Sequence, residues 1–580
     1  MRNGRAPALS ARRLAAGARM LLVAFAAVAL VVPGRKARQR YRRLRFGAVS
    51  RASSALPVDR GRPPRVSPST KSPERPEQQT APVNPPASEI AVPAPTMDVV
   101  ARGVSWKVLS VVFGQGSWYA SLLVLAVLVP PRDFGVMAVG SAVVSGTLLI
   151  LESGTGGSLI IARELTPASV RRSLVLTSVA GLAATALFIA LAGPIANVFT
   201  GGADVGVLRV IAVTVGLAAV SIVPNALLSK HLRFKAIAQI WIAAAAIASV
   251  AAVVAAALHA GVWALVIRIV VNQAVLTVLT VLAARRLLPR ARSAGEPAAR
   301  RAGATAFLMI ASATFLAWTC DNLAVGAFTT PTQLGLYALA FSLAYLPLTQ
   351  VSWTVGQVLL PAIAAARDEE VVRRQTLKAL RMMALMLVPL LPAAIAVAPG
   401  LIPAAFGGRW TGMVVPFQIL VVVGVGYGVL NILGEALAGA GVRSVRVRAR
   451  IDVTWAVATI GAIVIGVNLD GIRGAALAHI VTFCGLAIAY GWRGGRGIGL
   501  SLRAVLGAVR GVALCAALQA AVTAAVTLGL ERAGSGLLAG GLLGAAAGLL
   551  VLAVALRACA GELLAEGRTV LTATLRRRAA

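Results

Sequence analysis

The sequence predicts an all-α protein, a polytopic membrane helix bundle with about 14 transmembrane helices. Hydrophobic residues make up 58% of the 580-residue chain and charged residues 13%, whereas a soluble domain is about half apolar and about a quarter charged. Apolar runs about twenty residues long recur from Val104 to Leu556, and each is long enough to cross a hydrocarbon core of about 30 Å as a helix. Open strands are excluded, because lipid cannot hydrogen-bond their backbone groups.

Residues 1–96 differ from the rest of the chain. They are basic and rich in Pro and Ser, and their one apolar run, 21–32, is short for a span. Such a composition predicts disorder, and the arginines that follow the apolar run oppose export. We expect either a disordered cytoplasmic tail or an upstream extension ahead of a start at Met97.

The apolar runs group into two lobes and a final pair. The first six-helix lobe covers 104–284 and the second covers 304–491; an extra helix pair covers 511–556, and 557–580 is a cytoplasmic tail. The predicted spans are 104–130, 135–157, 173–193, 205–228, 236–258, 261–284, 304–328, 333–362, 379–399, 412–439, 451–468, 471–491, 511–530 and 535–556.

Loop charges test this arrangement. Lysine and arginine cluster in alternate loops, with the densest group between Arg285 and Arg301, and the other loops and their edges hold only Arg132, Arg409, Arg473 and Arg532, with Arg209 just inside a span. Basic residues are retained on the cytoplasmic side of bacterial membranes. The pattern predicts that both termini are cytoplasmic, and it explains much of the net charge of +36 without a nucleic-acid partner.

Two stretches match at an offset of 200 residues. Pro131, Gly135 and Ala138 recur as Pro331, Gly335 and Ala338, and each stretch is the outer turn between the first two spans of its lobe. A parallel repeat of this kind indicates two similar lobes that face each other across a central cavity.

Several motifs resemble a known family. They include Val129-Pro130-Pro131-Arg132-Asp133-Phe134-Gly135, Asp321-Asn322-Leu323-Ala324-Val325-Gly326, Leu334-Gly335-Leu336-Tyr337-Ala338-Leu339-Ala340 with Leu346-Pro347, Val355-Gly356-Gln357-Val358-Leu359-Leu360-Pro361-Ala362 and Phe406-Gly407-Gly408-Arg409-Trp410. In combination they are similar to the polysaccharide biosynthesis flippases (Wzx-like) of the multidrug/oligosaccharidyl-lipid/polysaccharide exporter superfamily.

The resemblance implies a function that composition does not show. It implies alternating access and outward movement of undecaprenyl-diphosphate-linked oligosaccharide repeat units across the bacterial inner membrane, with a polysaccharide polymerase and a chain-length regulator as partners. Many family members have twelve helices, so the pair 511–556 leaves the subgroup open. Fourteen helices also occur in the superfamily, including the lipid II flippases, whereas the other alternative, a cation-coupled multidrug antiporter, normally has twelve. A membrane glycosyltransferase or ligase is disfavoured, since the longest outer loops, near 194–204 and 400–411, contain one Asp and one Arg between them.

Polar residues inside the spans are the candidate site, because such residues are costly in lipid and usually face a cavity. Arg268 is a candidate diphosphate ligand, since a guanidinium binds phosphate oxygens in pairs, although a structural arginine fits equally well. Asp321 is expected to pair with Arg268, to bind a coupling cation or to join the lobes. The remaining substrate candidates are Asn272, Gln273, Asn322 and Gln115, and Glu152 and Glu435 are expected to line an inward mouth or to join helices.

No cofactor or metal is expected. The four cysteines form no CxxC pair and the chain has three histidines, so a metal site is improbable. The glycine-rich run 153–158 lacks the GK[ST] ending of a phosphate loop. The chain is therefore expected to carry no catalytic residue and no nucleotide-binding domain.

Overall fold

The computed structural model describes residues 111–161, 167–202, 204–231, 233–287, 319, 321–366, 368–496 and 498–559. These residues form helices joined by short turns, and they contain no strand. The predicted all-α class is therefore confirmed. The extension 1–96, the start of the first span, most of the seventh span and the tail beyond residue 559 lie outside the described residues.

The first lobe consists of six helices. A π-helical turn, Val111–Gln115, leads into the first of them. Proline opens the second and the third, at a helix position where its missing N–H would have no partner in any case. The helices are α1 (Gly116–Leu128), α2 (Pro131–Ile161), α3 (Pro167–Phe199), α4 (Val205–Lys230), α5 (Phe234–Ala257) and α6 (Val262–Ala284).

The second lobe begins in the same way. Pro331 opens its second described helix after Thr330, whose side chain accepts the Gln333 N–H at 3.3 Å while the Gln333 side chain accepts the Thr330 N–H at 3.4 Å. This reciprocal cap satisfies two free N–H groups of the helix end. The helices are α7 (321–328), α8 (Pro331–Ala365), α9 (Glu369–Leu387), α10 (Leu390–Phe406), α11 (Val414–Gly439) and α12 (Val442–Ala489).

Two of the predicted spans differ from single straight helices. The segment predicted as 379–399 is a longer crossing, Glu369–Phe406, made of α9 and α10 on either side of Pro389. Helix α12 contains the predicted span 451–468 and most of the predicted span 471–491, and its backbone turns at Asp470 and Gly471. The two halves then lie so close that a Cβ added to Gly474 would be 1.9 Å from the Gly466 carbonyl oxygen.

The C-terminal pair, α13 (Leu502–Arg532) and α14 (Leu537–Cys559), packs on α9 and α10 of the second lobe. Small residues permit this approach, as is common between membrane helices: a Cβ on Gly400 would lie 2.4 Å from the Leu538 backbone nitrogen. Gln519 is buried in the same contact and donates to the Pro389 carbonyl at 2.9 Å.

The outer faces of the bundle are apolar. Leu182, Val250 and Leu550 are each more than 60% exposed, which suits side chains that contact lipid tails rather than water. Within the described ranges, nine helical segments are long and apolar enough to cross a membrane. The chain is a multi-pass membrane protein, and the domain limits and the orientation of its termini stay predictions.

Candidate functional site

The two lobes approach each other most closely where α2 and α8 begin. A Cβ added to Gly135 would lie 1.8 Å from the carbonyl oxygen of Pro331, and one added to Gly335 would lie 1.7 Å from that of Pro131. The contact is reciprocal, because the same two motif positions meet from each lobe. We call this contact, with the neighbouring residues described next, the outer seam, since the predicted topology places it on the outer side.

Trp410 completes the outer seam from the second lobe. Its ring is fully buried, 5.2 Å from that of Phe134 in an edge-to-face arrangement. Its indole N–H donates to the Ala126 carbonyl at 2.8 Å, and the Arg409 guanidinium donates to the Val127 carbonyl. The end of α1 has free carbonyls that need donors, and the second lobe supplies them.

Arg268 lies inside the first lobe, between α6 and α1. It is 4% exposed, its Nη2 donates to the Trp118 carbonyl at 2.6 Å, and its guanidinium carbon lies 3.6 Å from the centre of the Trp118 ring. A carbonyl dipole and the face of an indole both attract a cation. In the described part of the chain, these contacts compensate the charge without a carboxylate.

The other candidates in the first lobe are polar residues in or next to its helices. Gln273 donates to the Thr277 hydroxyl at 3.2 Å, and Thr277 in turn donates to the Leu217 carbonyl at 2.9 Å. Asn272 and Gln115 are half-buried. Glu152 lies in α2, but its side chain is outside the described part of the structure.

Asp321 is fully buried within the second lobe. The Tyr337 hydroxyl lies 3.3 Å from its Oδ2 and 3.0 Å from the His479 Nε2, and the His479 Nε2 lies 3.8 Å from the Asp321 Oδ2. The backbone N–H of Asn322 donates to the Asp321 Oδ1 at 2.6 Å. The expected pairing of Asp321 with Arg268 is thus corrected: Arg268 contacts Trp118 in the first lobe, and Asp321 contacts groups of the second lobe.

Glu435 belongs to a buried ionic cluster in the second lobe rather than to an open mouth. Its Oε1 lies 3.3 Å from the Arg448 Nη2, and the Arg448 Nε lies 3.4 Å from the Asp452 Oδ2. The Tyr490 hydroxyl donates to the Asp452 Oδ1 at 2.6 Å. The cluster joins α11 to the first half of α12 and to the π-helical turn Tyr490–Gly494 that follows α12, which is the second role that the sequence left open for Glu435.

Sequence reasoning missed most of the partners in these clusters. The predicted spans 412–439 and 451–468 place Arg448 in the loop between them, but two carboxylates stabilise it in a half-buried position. His479 carried a usable signal, because an ionisable residue inside a predicted span is a candidate site by default. The aromatic partners Trp118 and Tyr337 carried none, since the sequence does not reveal which polar group an aromatic residue contacts.

Comparison with known proteins adds a family match. Residues 124–415, just over half of the chain, match the family described as polysaccharide biosynthesis protein. Over 122 residues the chain is 30% identical to the teichuronic acid biosynthesis protein TuaB of Bacillus subtilis (strain 168), which covers 21% of this chain and 25% of TuaB. The chain therefore spans about a quarter of that relative's length.

A second relative and a solved structure match over longer stretches. Over 393 residues the chain is 24% identical to the lipopolysaccharide biosynthesis protein WzxC of Escherichia coli (strain K12), covering 65% of this chain and 77% of WzxC. The lipid II flippase MurJ in an inward closed conformation superposes with a TM-score of 0.60 at 10% identity, covering 80% of this chain and 100% of MurJ. At that identity the superposition shows a shared fold.

Proposed function

This chain belongs to the polysaccharide biosynthesis protein family, and from that premise we propose that it is a flippase for undecaprenyl-diphosphate-linked oligosaccharide repeat units. It moves them from the inner to the outer leaflet of the bacterial inner membrane. Both termini are cytoplasmic in this proposal, and a polysaccharide polymerase and a chain-length regulator act beside it. The protein transports its substrate and does not catalyse a covalent step.

The observation that carries the proposal is the outer seam between two similar lobes. Gly135 and Gly335 bring the lobes into backbone contact at one end, and Trp410 seals the same end. A substrate that leaves on that side requires the seam to part, which is the movement expected of lobes that rock about a central site. Alternating access therefore requires the contacts of the outer seam to break and form again in each cycle.

Substrate contact is proposed for the first-lobe candidates Arg268, Asn272, Gln273 and Gln115, with Asn322 from the second lobe. An anionic diphosphate matches the guanidinium of Arg268. Because Trp118 covers that guanidinium in this structure, contact requires α1 to move away from α6. The π-helical turn Val111–Gln115 lies immediately before α1, and such turns are frequent at functional sites.

The proposal is tested by flipping in proteoliposomes. Fluorescent undecaprenyl-diphosphate oligosaccharide is placed in both leaflets, and a membrane-impermeant reductant bleaches the outer leaflet. The protein should make the protected fraction bleach as well, whereas vesicles without protein keep it. If protein-containing and protein-free vesicles bleach alike, the flippase assignment fails.

A cross-linked variant is the matched control. With the four native cysteines replaced by alanine, Val127→Cys and Arg409→Cys are joined by a thioether linker across the outer seam. Linking should stop flipping, while each single-cysteine variant treated with the same reagent should remain active. Flipping that persists in the linked protein would show that the seam does not open during transport.

Three further assays distinguish the proposed function from the alternative functions. Fluorescent lipid II tests the lipid II-type flippase, and a cationic drug tests the cation-coupled multidrug antiporter. Release of sugar from the lipid carrier would indicate a membrane glycosyltransferase or ligase. The oligosaccharide is expected to move fastest, because the matched relatives are named for polysaccharide biosynthesis.

A further inference from the structure

A buried polar group lies entirely within the second lobe. Asp321 on α7, Tyr337 on α8 and His479 on α12 meet with exposures of 0%, 0% and 2%. Three separate helices thus converge on one carboxylate, one hydroxyl and one imidazole. Burial of this kind is costly unless every polar atom is used.

The number of hydrogens in this group decides what it can do. Tyr337 has one hydroxyl hydrogen and lies within hydrogen-bonding distance of two acceptors, the Asp321 Oδ2 at 3.3 Å and the His479 Nε2 at 3.0 Å. A hydroxyl donates one hydrogen and accepts others. If Tyr337 donates to Asp321, then His479 must donate from Nε2 to the Tyr337 oxygen; if it donates to His479, then Asp321 must carry a proton.

A second observation points to the same group. The His479 Nδ1 is buried and makes no hydrogen bond with any residue that the structure describes. Buried polar atoms almost always have a partner, and an exception calls for an explanation such as a transient proton. When the His479 hydrogen is on Nε2, this nitrogen carries the lone pair that can accept a proton.

The chemistry favours a proton over a metal cation. Hard cations such as Ca²⁺ and Mg²⁺ take six or more oxygen ligands, whereas this group offers one carboxylate, one hydroxyl and an imidazole nitrogen. The Asp321 Oδ1 already accepts the Asn322 N–H at 2.6 Å. Within the described part of the chain, no set of three or more His, Cys, Asp or Glu residues is arranged to hold a metal ion.

We propose that Asp321, Tyr337 and His479 form a proton-binding site that couples the movement of the lipid-linked saccharide to the proton gradient. The coupling rests on the proposed flippase function, whereas proton binding itself does not. Asp321 is thereby assigned to coupling and is no longer a substrate ligand.

The loading step balances in protons and charge. In the unloaded state Asp321 is ionised, Tyr337 donates to it, and His479 is neutral with its hydrogen on Nε2. A proton binds to the Nδ1, the Nε2 hydrogen passes to the Tyr337 oxygen, and the Tyr337 hydrogen passes to the Asp321 Oδ2. One proton has entered, His479 is neutral with its hydrogen on Nδ1, and Asp321 is a neutral acid.

Loading removes the one net charge of the group. An isolated carboxylate in a low-dielectric interior is unfavourable, and its neutral form is preferred there. Two further tyrosines of the described helices lie next to the site. The Tyr345 ring on α8 stacks on Phe341, whose ring lies 6.0 Å from that of His479, and the Tyr427 ring on α11 lies 5.9 Å from that of Tyr345. Among the described residues, His479 is the basic group within salt-bridge distance of Asp321.

Infrared spectroscopy tests proton binding without any transport. Purified protein in lipid nanodiscs is titrated with acid, and the carbonyl band of a neutral carboxylic acid is followed. We expect a band that is absent from Asp321→Asn and is displaced to higher pH in Tyr337→Phe, because this change keeps the ring but removes the hydroxyl that donates to the ionised carboxylate. Tyr119→Phe, on α1 of the first lobe, is the matched control and should keep the band unchanged; a band that survives Asp321→Asn unaltered would overturn the site.

Leaflet distribution tests the coupling. A gradient of about one pH unit shifts the steady-state distribution of substrate about tenfold if one proton moves per substrate. We expect that shift in the wild type and an even distribution in Asp321→Asn. An even distribution in the wild type would overturn coupling while leaving the flippase intact, whereas no flipping at all would refute the flippase and leave the infrared result to decide the proton site.

Discussion

Arg268 is buried against Trp118 inside the first lobe. Its guanidinium lies on the Trp118 ring and donates to the Trp118 carbonyl, so it joins α6 to α1. A central arginine costs about 2.5–3.5 kcal/mol on insertion scales, and these contacts offset that cost in the absence of substrate.

We predict that Arg268→Ala leaves insertion intact but abolishes glycan export, so that lipid-linked repeat units accumulate inside the cell. Arg268→Lys should recover export only in part, because an ammonium replaces a planar fork that fits both indole and diphosphate. Radiolabelled lipid-linked intermediates measure the accumulation. Normal export in Arg268→Ala would remove the residue from the mechanism.

The double change with Asp321 now has a definite expected result. Because the two residues contact different partners in different lobes, Arg268→Ala combined with Asp321→Asn should not restore what either single change loses. Restored export in the double variant would indicate that the two residues pair in another state of the transport cycle.

Arg448 is predicted to be essential for the stability of the second lobe. Arg448→Met leaves Glu435 and Asp452 without their cation, and removing one partner of a buried ionic group costs about 3–5 kcal/mol. Thermal unfolding in detergent should show the loss. Arg450→Met is the matched control, since Arg450 is exposed two residues further on and should unfold like the wild type; an equal loss in both variants would contradict the assignment.

At the scale of helices, the break in α12 depends on one backbone conformation. Gly471 has φ 51° and ψ −134°, which side chains avoid because of the Cβ. Gly471→Ala should therefore destabilise the protein by about 1–3 kcal/mol, as measured by thermal unfolding. Gly485→Ala, in an open part of the same helix, should be neutral or slightly stabilising, and a neutral Gly471→Ala would contradict the strain.

Hydropathy and loop charge predicted most of the helices. The apolar runs predicted the helices that the described residues contain, because hydropathy is a local signal in the chain. The alternation of sides inferred from the loop arginines stays a prediction. The segment 369–406 was predicted too short, since polar Glu369 and Glu370 begin its first helix and lower its hydropathy. The contact between His479 and Tyr337, 142 residues apart, could not be predicted from the sequence, because it depends on how the helices pack.

For the whole molecule, the outer seam is the contact most open to engineering. Gly135→Ala and Gly335→Ala each place a methyl group on the opposite carbonyl oxygen, so the lobes must separate. We expect slower cross-linking between Val127→Cys and Arg409→Cys in either variant. Gly206→Ala on α4, where nothing lies near, should not alter the rate, and unaltered cross-linking in Gly135→Ala would contradict the close approach.

Topology is the second prediction at this scale. Reporter fusions after Arg172, Arg292, Arg374 and Arg496 should report the cytoplasm, and fusions near Gly202 and Thr330 should report the exterior, because the basic loops are retained inside. A periplasmic signal at Arg292 would reverse the most basic loop and refute the orientation.

The reciprocity of the Gly135–Gly335 contact has a consequence for how passage is controlled. Each glycine touches the carbonyl of the proline that opens the opposite helix, so tilting one lobe breaks both halves of the contact at the same moment. A barrier built in this way switches as one unit rather than unzipping from one edge. In the proposed transport cycle, such a barrier would leave no partly opened gap for small ions, so the membrane potential would be kept while the glycan crosses.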